Sequence, residues 1–412
     1  MRKPNESLIA VDALAAWNDK SASAVAVDTL TLRCELITPM YGGGVTAGEV
    51  DAALPIRASA LRGQLRFWWR LLHGRGRPPQ ETFAAETAIW GGIASTQPTA
   101  SKVSVRVIAK PVAATQSVAK NSIPIFPSYA LILDPGADPQ LLQNGYRFQI
   151  SLRFAVDLHD DQQTQVIDAV RWWASFGGVG ARTRRGLGAV RVEGLTPVTS
   201  VEVATKGGCL VLLAPSKTPE LAWKTSVDLL KDFRQKLEVG RNPPAQNSQS
   251  PAGRSRWPEA DTIRDLSSHT HPNHAVPIVN IRAFPRSAFG LPIVFHFKGA
   301  PAKPHLRKNG MDPDDHTLEP ADRSTTDKRN RMASPLILRP YWDGKAWRPA
   351  ALLLPEWKQA ISQPLKFKEQ SYRPKTWPSD PAERQRLAAQ IKPMQGRGND
   401  PLSAFMDYFE KS

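Results

Sequence analysis

Two stretches of this sequence carry residue types suited to holding a polyanion. Between residues 52 and 80 there is no acidic residue, but there are six arginines: Arg57, Arg62, Arg66, Arg70, Arg75 and Arg77. Arg62, Arg66 and Arg70 follow one another at a spacing of four, which puts them on one face of a helix. Leu61, Leu65, Trp68 and Leu72 fill the neighbouring face at core spacing. A planar guanidinium that stays charged can give a phosphate two parallel hydrogen bonds. The bland alternative is a solvated charged stripe. Against it, like charges four apart repel, and no carboxylate lies near in sequence to relieve them. Three glycines, Gly42, Gly43 and Gly44, precede the helix, with Glu49 and Asp51 beside them either to orient arginines or to face a partner protein. Trp69 offers a stacking surface for a base, or else simply belongs to the core.

The second stretch is residues 177–188. Gly178, Gly180, Gly186 and Gly188 flank or interrupt a loop carrying Arg182, Arg184 and Arg185, with Gly177 leading in. Glycine lets backbone N–H groups approach phosphate oxygens and tolerates positive φ. Read that way, the loop is a phosphate cradle; read blandly, it is a glycine-capped helix end with a basic turn. It is not a nucleotide loop of the Lys-Ser/Thr kind, and no Gly-x-Gly-x-x-Gly occurs in the chain, so nucleotide hydrolysis and dinucleotide binding lose their usual signatures.

Catalytic candidates are fewer. His269, His271 and His274 could supply three nitrogen ligands, but Pro272 and Asn273 place them in a loop with no completing Cys or carboxylate pattern. Asp312, Asp314 and Asp315 beside His316 could hold Mg²⁺, or form an ordinary loop rich in proline and lysine. His73, ending the arginine helix, could act as a general base in metal-free RNA cleavage, or cap the helix as a cation. The reading is a non-enzymatic chain with no metal and no cofactor.

The elements that must position these residues follow from composition and pattern. Lys and Arg total 54 against 38 Asp and Glu in 412 residues, a formal charge of +16. That balance favours an anionic partner, nucleic acid or an anionic membrane surface. Membrane is the weaker choice, since no apolar run approaches ~20 residues and the longest, such as residues 129–133, are short. Acidic residues among the first 27 exclude a secretory core, and two distant cysteines, Cys34 and Cys209, suit a reducing cytoplasm. Strands are expected at 29–37, 102–109, 146–156 and 187–192, with helices at 59–73, 81–89 and 163–176. A second unit starts with a strand at 209–213 and a helix at 220–237. It continues through a Pro- and Asn-rich loop or disordered insertion (240–257) and a loop-like stretch (299–335). A hairpin at 336–341 and 347–354, turned by Asp343-Gly344, and a helical tail from Asp380 complete it. The expected architecture is α+β: an N-terminal extension (1–27), a first domain (28–200) and a second (201–412), the two sharing an order of elements.

Residues 36–70, reading LITPMYGGG…GEVD…LPIRASALRGQLRFWWR, resemble the N-terminal signature of the first subunit of the type III-B CRISPR effector (Cmr) complex, in the RAMP superfamily. The loop at 177–188 resembles that superfamily's glycine-rich loop, and FGLPIVFHF (289–297) and RMASPLILRP (331–340) resemble C-terminal segments. The resemblance implies two tandem ferredoxin-like domains of the RNA-recognition type with loop insertions. It also implies a non-catalytic subunit engaging CRISPR RNA near its 3′ end and target RNA beside other RAMP subunits. Without it, the residues reach only a polyanion binder, with a metal-independent endoribonuclease and a protein-interaction scaffold as the other readings.

Overall fold

A computed structural model of the chain describes residues 28–412 apart from 47, 94–97, 113–114, 118–138, 245, 247–252, 298–309, 323–327 and 367–373. The expected N-terminal extension and the apolar run 129–133 lie outside the described residues.

Alternating Leu32, Cys34 and Leu36 bury one side of strand β1 (Thr29–Leu36) and leave Thr31 and Arg33 exposed on the other. The chain then runs through α1 (Ala58–His73), α2 (Pro79–Trp90), β2 (Val103–Ala109), β3 (Arg147–Phe154), α3 (Asp160–Phe176) and β4 (Val190–Val192). The four strands form one antiparallel sheet in the order β2-β3-β1-β4. One face of this sheet receives α1 and α3, whose Trp68, Trp172 and Phe176 rings lie within 5.5–6.3 Å of one another. Asp160 and Asp161 in the first turn of α3 complement its dipole. Buried within the core, the Cys34 thiol is pushed up to about 12.

A short helix, α4 (Ser200–Thr205), begins with a Thr199/Glu202 capping box and leads into β5 (Cys209–Leu212) and α5 (Pro219–Gln235). Strands β8 (Leu336–Trp342) and β9 (Trp347–Leu353) complete a three-stranded antiparallel sheet, ordered β5-β9-β8. The Asp343-Gly344 turn forms as expected: the Asp343 carboxylate accepts from the N–H groups of Lys345 and Ala346 at 2.8 and 2.7 Å. This sheet is buried on both faces. Ile337, Tyr341 and Leu352 join the core of the first unit, while Leu336, Leu338 and Leu353 pack with Phe233 of α5 and Phe405 of α7 (Pro401–Glu410). The two units therefore share a core layer. Around its four-stranded sheet the first runs strand, two helices, strand, strand, helix, strand; the second opens strand, helix, reaches the β8–β9 strand pair after further elements, and ends on a helix.

Two expectations are corrected and one helix was missed. The stretch 299–335 is not only loop, because β7 (His316–Pro320) pairs with β6 (Ile293–Phe295) and β10 (Leu365–Lys366). Its inward residues are His316, Leu318 and Pro320, a set without the β-branched run that marks a strand. Helix α6 (Glu259–Ser267) was missed because its buried side is largely charged: Asp261 and Arg264 are buried as an ion pair beside Ile263. The described flanks of the insertion 240–257 are ordered, with Asn242 donating to the Arg254 carbonyl at 2.9 Å and Trp257 buried. Among the described residues, no helix is long and apolar enough to cross a membrane.

Candidate nucleic-acid interface

The two glycine-rich stretches, remote in sequence, meet in space. Ala181 N–H donates to the Tyr41 carbonyl at 2.8 Å, and Gly188 N–H to the Pro39 carbonyl at 2.8 Å. Thr38 Oγ1 ties the pair further, donating to the Gly186 carbonyl at 2.6 Å and accepting from Ala189 N–H at 2.9 Å. The contact needs Gly180: at φ 76°, a Cβ there would lie 2.5 Å from Met40 Cγ and 2.7 Å from the Tyr41 carbonyl. Gly43, at φ 106°, faces the same point, its nearest neighbours being Met40, Gly180 and the Pro55 carbonyl. Gly42 is also left-handed (φ 60°), and Gly44 N–H closes the loop onto the Glu49 carbonyl at 2.9 Å.

Helix α1 starts at this junction. Arg57 is its N-cap residue, with no side-chain cap bond and no acid in the first turn, so the first N–H groups of α1 and its positive dipole end are uncompensated. The Arg57 guanidinium donates to the Gly44 carbonyl at 3.0 Å, and its Nε–H is buried without a hydrogen-bond partner. Arg182, held left-handed at φ 60°, is exposed, and its charge opposes the upward push that burial gives the Tyr41 hydroxyl. Unfilled N–H groups, an orphaned guanidinium donor and an exposed arginine around a glycine-lined contact are what an anion such as phosphate requires.

The free positive face expected on α1 is corrected. Glu86, buried on α2, accepts from Arg66 Nε at 2.5 Å and Arg70 Nη1 at 2.8 Å, while Arg62 donates to the Trp90 carbonyl. The carboxylate absent from the local sequence arrives from the next helix, which folds back over the stripe. Burial, then Arg66, push the Arg62 guanidinium below its ordinary value against the opposing pull of Glu86. Trp69 is core, its indole donating to Gln165 at 3.0 Å. At the end of α1, burial and then Lys206 push the His73 imidazole below its ordinary value, against the pull of Asp168 at 3.9 Å.

The cradle reading of the second stretch is also corrected in part. Arg184 and Arg185 turn inward to the second unit. Arg184 donates to the Ser334 carbonyl with its guanidinium over the Phe67 ring, and Arg185 donates to the carbonyls of Leu336 (3.1 Å) and Phe289 (3.3 Å). Burial, then Arg234, Arg184 and Arg182, lower the Arg185 pKa. Gly186 N–H is satisfied by the Thr183 carbonyl, and a Cβ there would strike the Trp223 indole. Gly178 abuts the Gly188 carbonyl in the same way. These glycines serve chain packing rather than an open N–H cradle. Sequence reading missed Arg339, buried in β8, which donates to the Gly177 carbonyl at 2.5 Å and the Val190 carbonyl at 3.2 Å and so caps the end of α3. Its signal was a lone arginine inside an otherwise apolar strand.

The histidine and aspartate clusters are used structurally. Asp312 accepts from Arg264 at 2.8 and 3.3 Å and from His271 N–H at 3.3 Å, and lies 3.4 Å from His274. Burial would raise its carboxyl, but Arg264 outweighs burial and the net shift is downward. Asp315 pairs with His296 at 2.6 Å, and His269 Nδ1 lies 2.5 Å from the Ser267 carbonyl. Among the described residues, no three His, Cys, Asp or Glu side chains are arranged to hold a metal.

Residues 33–191 match the family model described as the RAMP superfamily. No curated protein matches the chain. Among solved structures, the crystal structure of Cmr1 from Pyrococcus furiosus (apo form) is 15% identical, with a TM-score of 0.42 over 84% of this chain and 90% of that one. A chain from a Type III-B Cmr-beta complex bound to cognate target RNA and AMPPnP is 10% identical, with a TM-score of 0.36 over 92% of this chain and 99% of its own. A chain of a Type IV-B CRISPR complex is 14% identical, with a TM-score of 0.29 over 43% of this chain and 98% of its own.

Proposed function

We propose that this chain, whose residues 33–191 belong to the RAMP superfamily, is a non-catalytic RNA-binding subunit of a type III-B CRISPR (Cmr) ribonucleoprotein effector. In this reading it engages the 3′ region of the CRISPR RNA, target RNA, or both, beside other RAMP subunits in the cytoplasm. The observation that carries the RNA contact is the junction itself. Two glycine segments converge on the uncapped start of α1, where the Arg57 Nε–H has no partner and Arg182 is exposed. The superfamily match and the charge of +16 both favour RNA as the polyanion. The first unit fits a ferredoxin-like domain in both its order of elements and its antiparallel sheet. The second is read as the same plan without the last strand.

Backbone phosphates bound here displace counterions, so affinity for single-stranded RNA should fall steeply with salt. Each lost phosphate contact should flatten the log–log slope by about 0.7. The double change Arg57→Ala, Arg182→Ala is expected to flatten it by about 1.4, measured by fluorescence anisotropy on labelled RNA. An unchanged slope rejects the junction as the contact. The same RNA incubated with EDTA should remain intact; cleavage that disappears in His73→Ala would instead make the chain a metal-independent nuclease.

A further inference from the structure

The helices cover only one face of the first sheet. On the other face, β1 presents Thr29, Thr31, Arg33 and Glu35, β3 presents Arg147, Gln149, Ser151 and Arg153, β2 presents Ser104, Arg106 and Ile108, and β4 presents Arg191. The register sets Arg106 beside Ser151 and Thr31, Arg153 beside Ser104 and Thr29, and Glu35 between Arg147 and Arg191. Five arginines thus share this face with two acids, Glu35 and Glu193, and all five are exposed. Among the described residues Arg106 and Arg153 make no salt bridge. The Arg33–Glu193 and Arg147–Glu35 contacts are long, 3.9 and 3.8 Å, with side chains 80% or more exposed on the arginine side. Such pairs contribute little and leave the cations available. The small Ser and Thr side chains between them keep the surface low, so a chain lying on it can reach several guanidinium groups at once.

The edge of this face is aromatic. Arg191 lies over the Trp342 ring at 4.7 Å, and Trp342 faces Trp347 across the β8–β9 hairpin with ring centres 5.1 Å apart. Both rings are half-buried, so part of each meets solvent. Positive charge that follows a backbone, bordered by rings on which unpaired bases stack, is the combination single-stranded nucleic acid requires. A duplex keeps its bases stacked and gains nothing from the tryptophans. An acidic protein surface would use the arginines but not the solvent-facing parts of the indoles.

We infer that the helix-free face of the first sheet is a second nucleic-acid surface, binding the backbone of single-stranded nucleic acid through its arginines and stacking bases on Trp342 and Trp347. This surface is separate from the glycine junction and does not rest on it.

The test uses the full chain and a short fluorescein-labelled RNA of mixed sequence, titrated at several salt concentrations. In the variant Arg106→Ser, Arg147→Ser, Arg153→Ser, affinity should fall about tenfold or more, and the salt slope should flatten by about 2, three contacts at about 0.7 each. The matching lysine variant should keep most of the slope, and both should retain the wild-type near-ultraviolet spectrum, because the replaced side chains are exposed. RNA should quench tryptophan fluorescence in the wild type and less in Trp342→Leu. Repeating the serine changes in the Arg57→Ala, Arg182→Ala background should give the same further loss. Wild-type affinity in the serine variant, or an equal loss measured on a blunt duplex, overturns the inference and leaves the junction reading standing. Loss in the serine variant with none in the junction variant supports the sheet and rejects the junction.

Discussion

Arg339 shows what one residue does when the chain closes over it. Its guanidinium is buried and satisfied by carbonyls of its own strand, of the end of α3 and of β4. Burial lowers its pKa to about 9, so the cation is held by these oxygens rather than by a counter-charge. Arg339→Ala leaves the Gly177 and Val190 carbonyls buried and unpaired, and should cost about 3 kcal/mol, read as a lower urea midpoint at an unchanged m-value. Lys should not restore it, since one ammonium cannot span the same fork of acceptors. Legibility at this scale was uneven. Gly43, Gly180, Arg57 and Arg182 were picked out by type and context and do meet at one place. Arg62, Arg66, Arg70, Arg184 and Arg185 were picked out by the same logic and are engaged within the protein instead. A guanidinium suits a carbonyl, a carboxylate or a phosphate alike, so its type cannot tell which it meets.

At the scale of elements, α1 and α2 form a charge-matched pair. Among the described residues, Glu86 is the one acid paired with Arg66 and Arg70, and it is nearly inaccessible, whereas Arg70 is half-exposed. Glu86→Gln should therefore destabilise by about 2 kcal/mol, discounted for the solvent around Arg70, with the loss visible as a lower thermal midpoint at low salt. The β8–β9 hairpin gives a pH signature. Burial would raise the Asp343 carboxyl, but the Arg348 hydrogen bond and two turn N–H groups outweigh it and hold it at about 2, from an ordinary 3.8. A depressed acid stabilises fully above its unfolded value and loses that contribution as the pH falls from about 4 through about 2. Asp343→Asn should flatten the stability profile in that window and cost about 1 kcal/mol near neutrality, after discount for partial exposure. Elements with a clean apolar period were legible to within a few residues, among them β1, α1, α3, α5 and the Asp343-Gly344 hairpin. Helix α6 and strand β7 were not, because their inward residues are charged, imidazole or proline and give no apolar period.

At the scale of the molecule, the two units are fastened through a shared layer rather than a linker. Tyr341 stacks on Phe176 at 5.7 Å and donates to the Val198 carbonyl at 2.6 Å, and Arg185 and Arg339 cross the same boundary in opposite directions. Unfolding in urea should accordingly be one transition by both fluorescence and circular dichroism, and residues 28–200 alone should lack a native near-ultraviolet spectrum, since Phe176 and Trp172 would lose their cover. The amino-acid sequence by itself determined the α+β class, most strands and helices, the basic balance and the two glycine-rich, arginine-rich stretches, because these depend on local period, turn chemistry and composition. It also carried the RAMP signature that the family match over 33–191 bears out. Only the tertiary structure decided that those two stretches are one junction, that Arg66 and Arg70 are taken by Glu86 and Arg62, Arg184 and Arg185 by backbone carbonyls, and that a separate arginine face lies open on the first sheet. Those outcomes depend on which groups distant in sequence are brought within hydrogen-bonding distance. A guanidinium stays available to an outside phosphate only where folding leaves it no nearer acceptor.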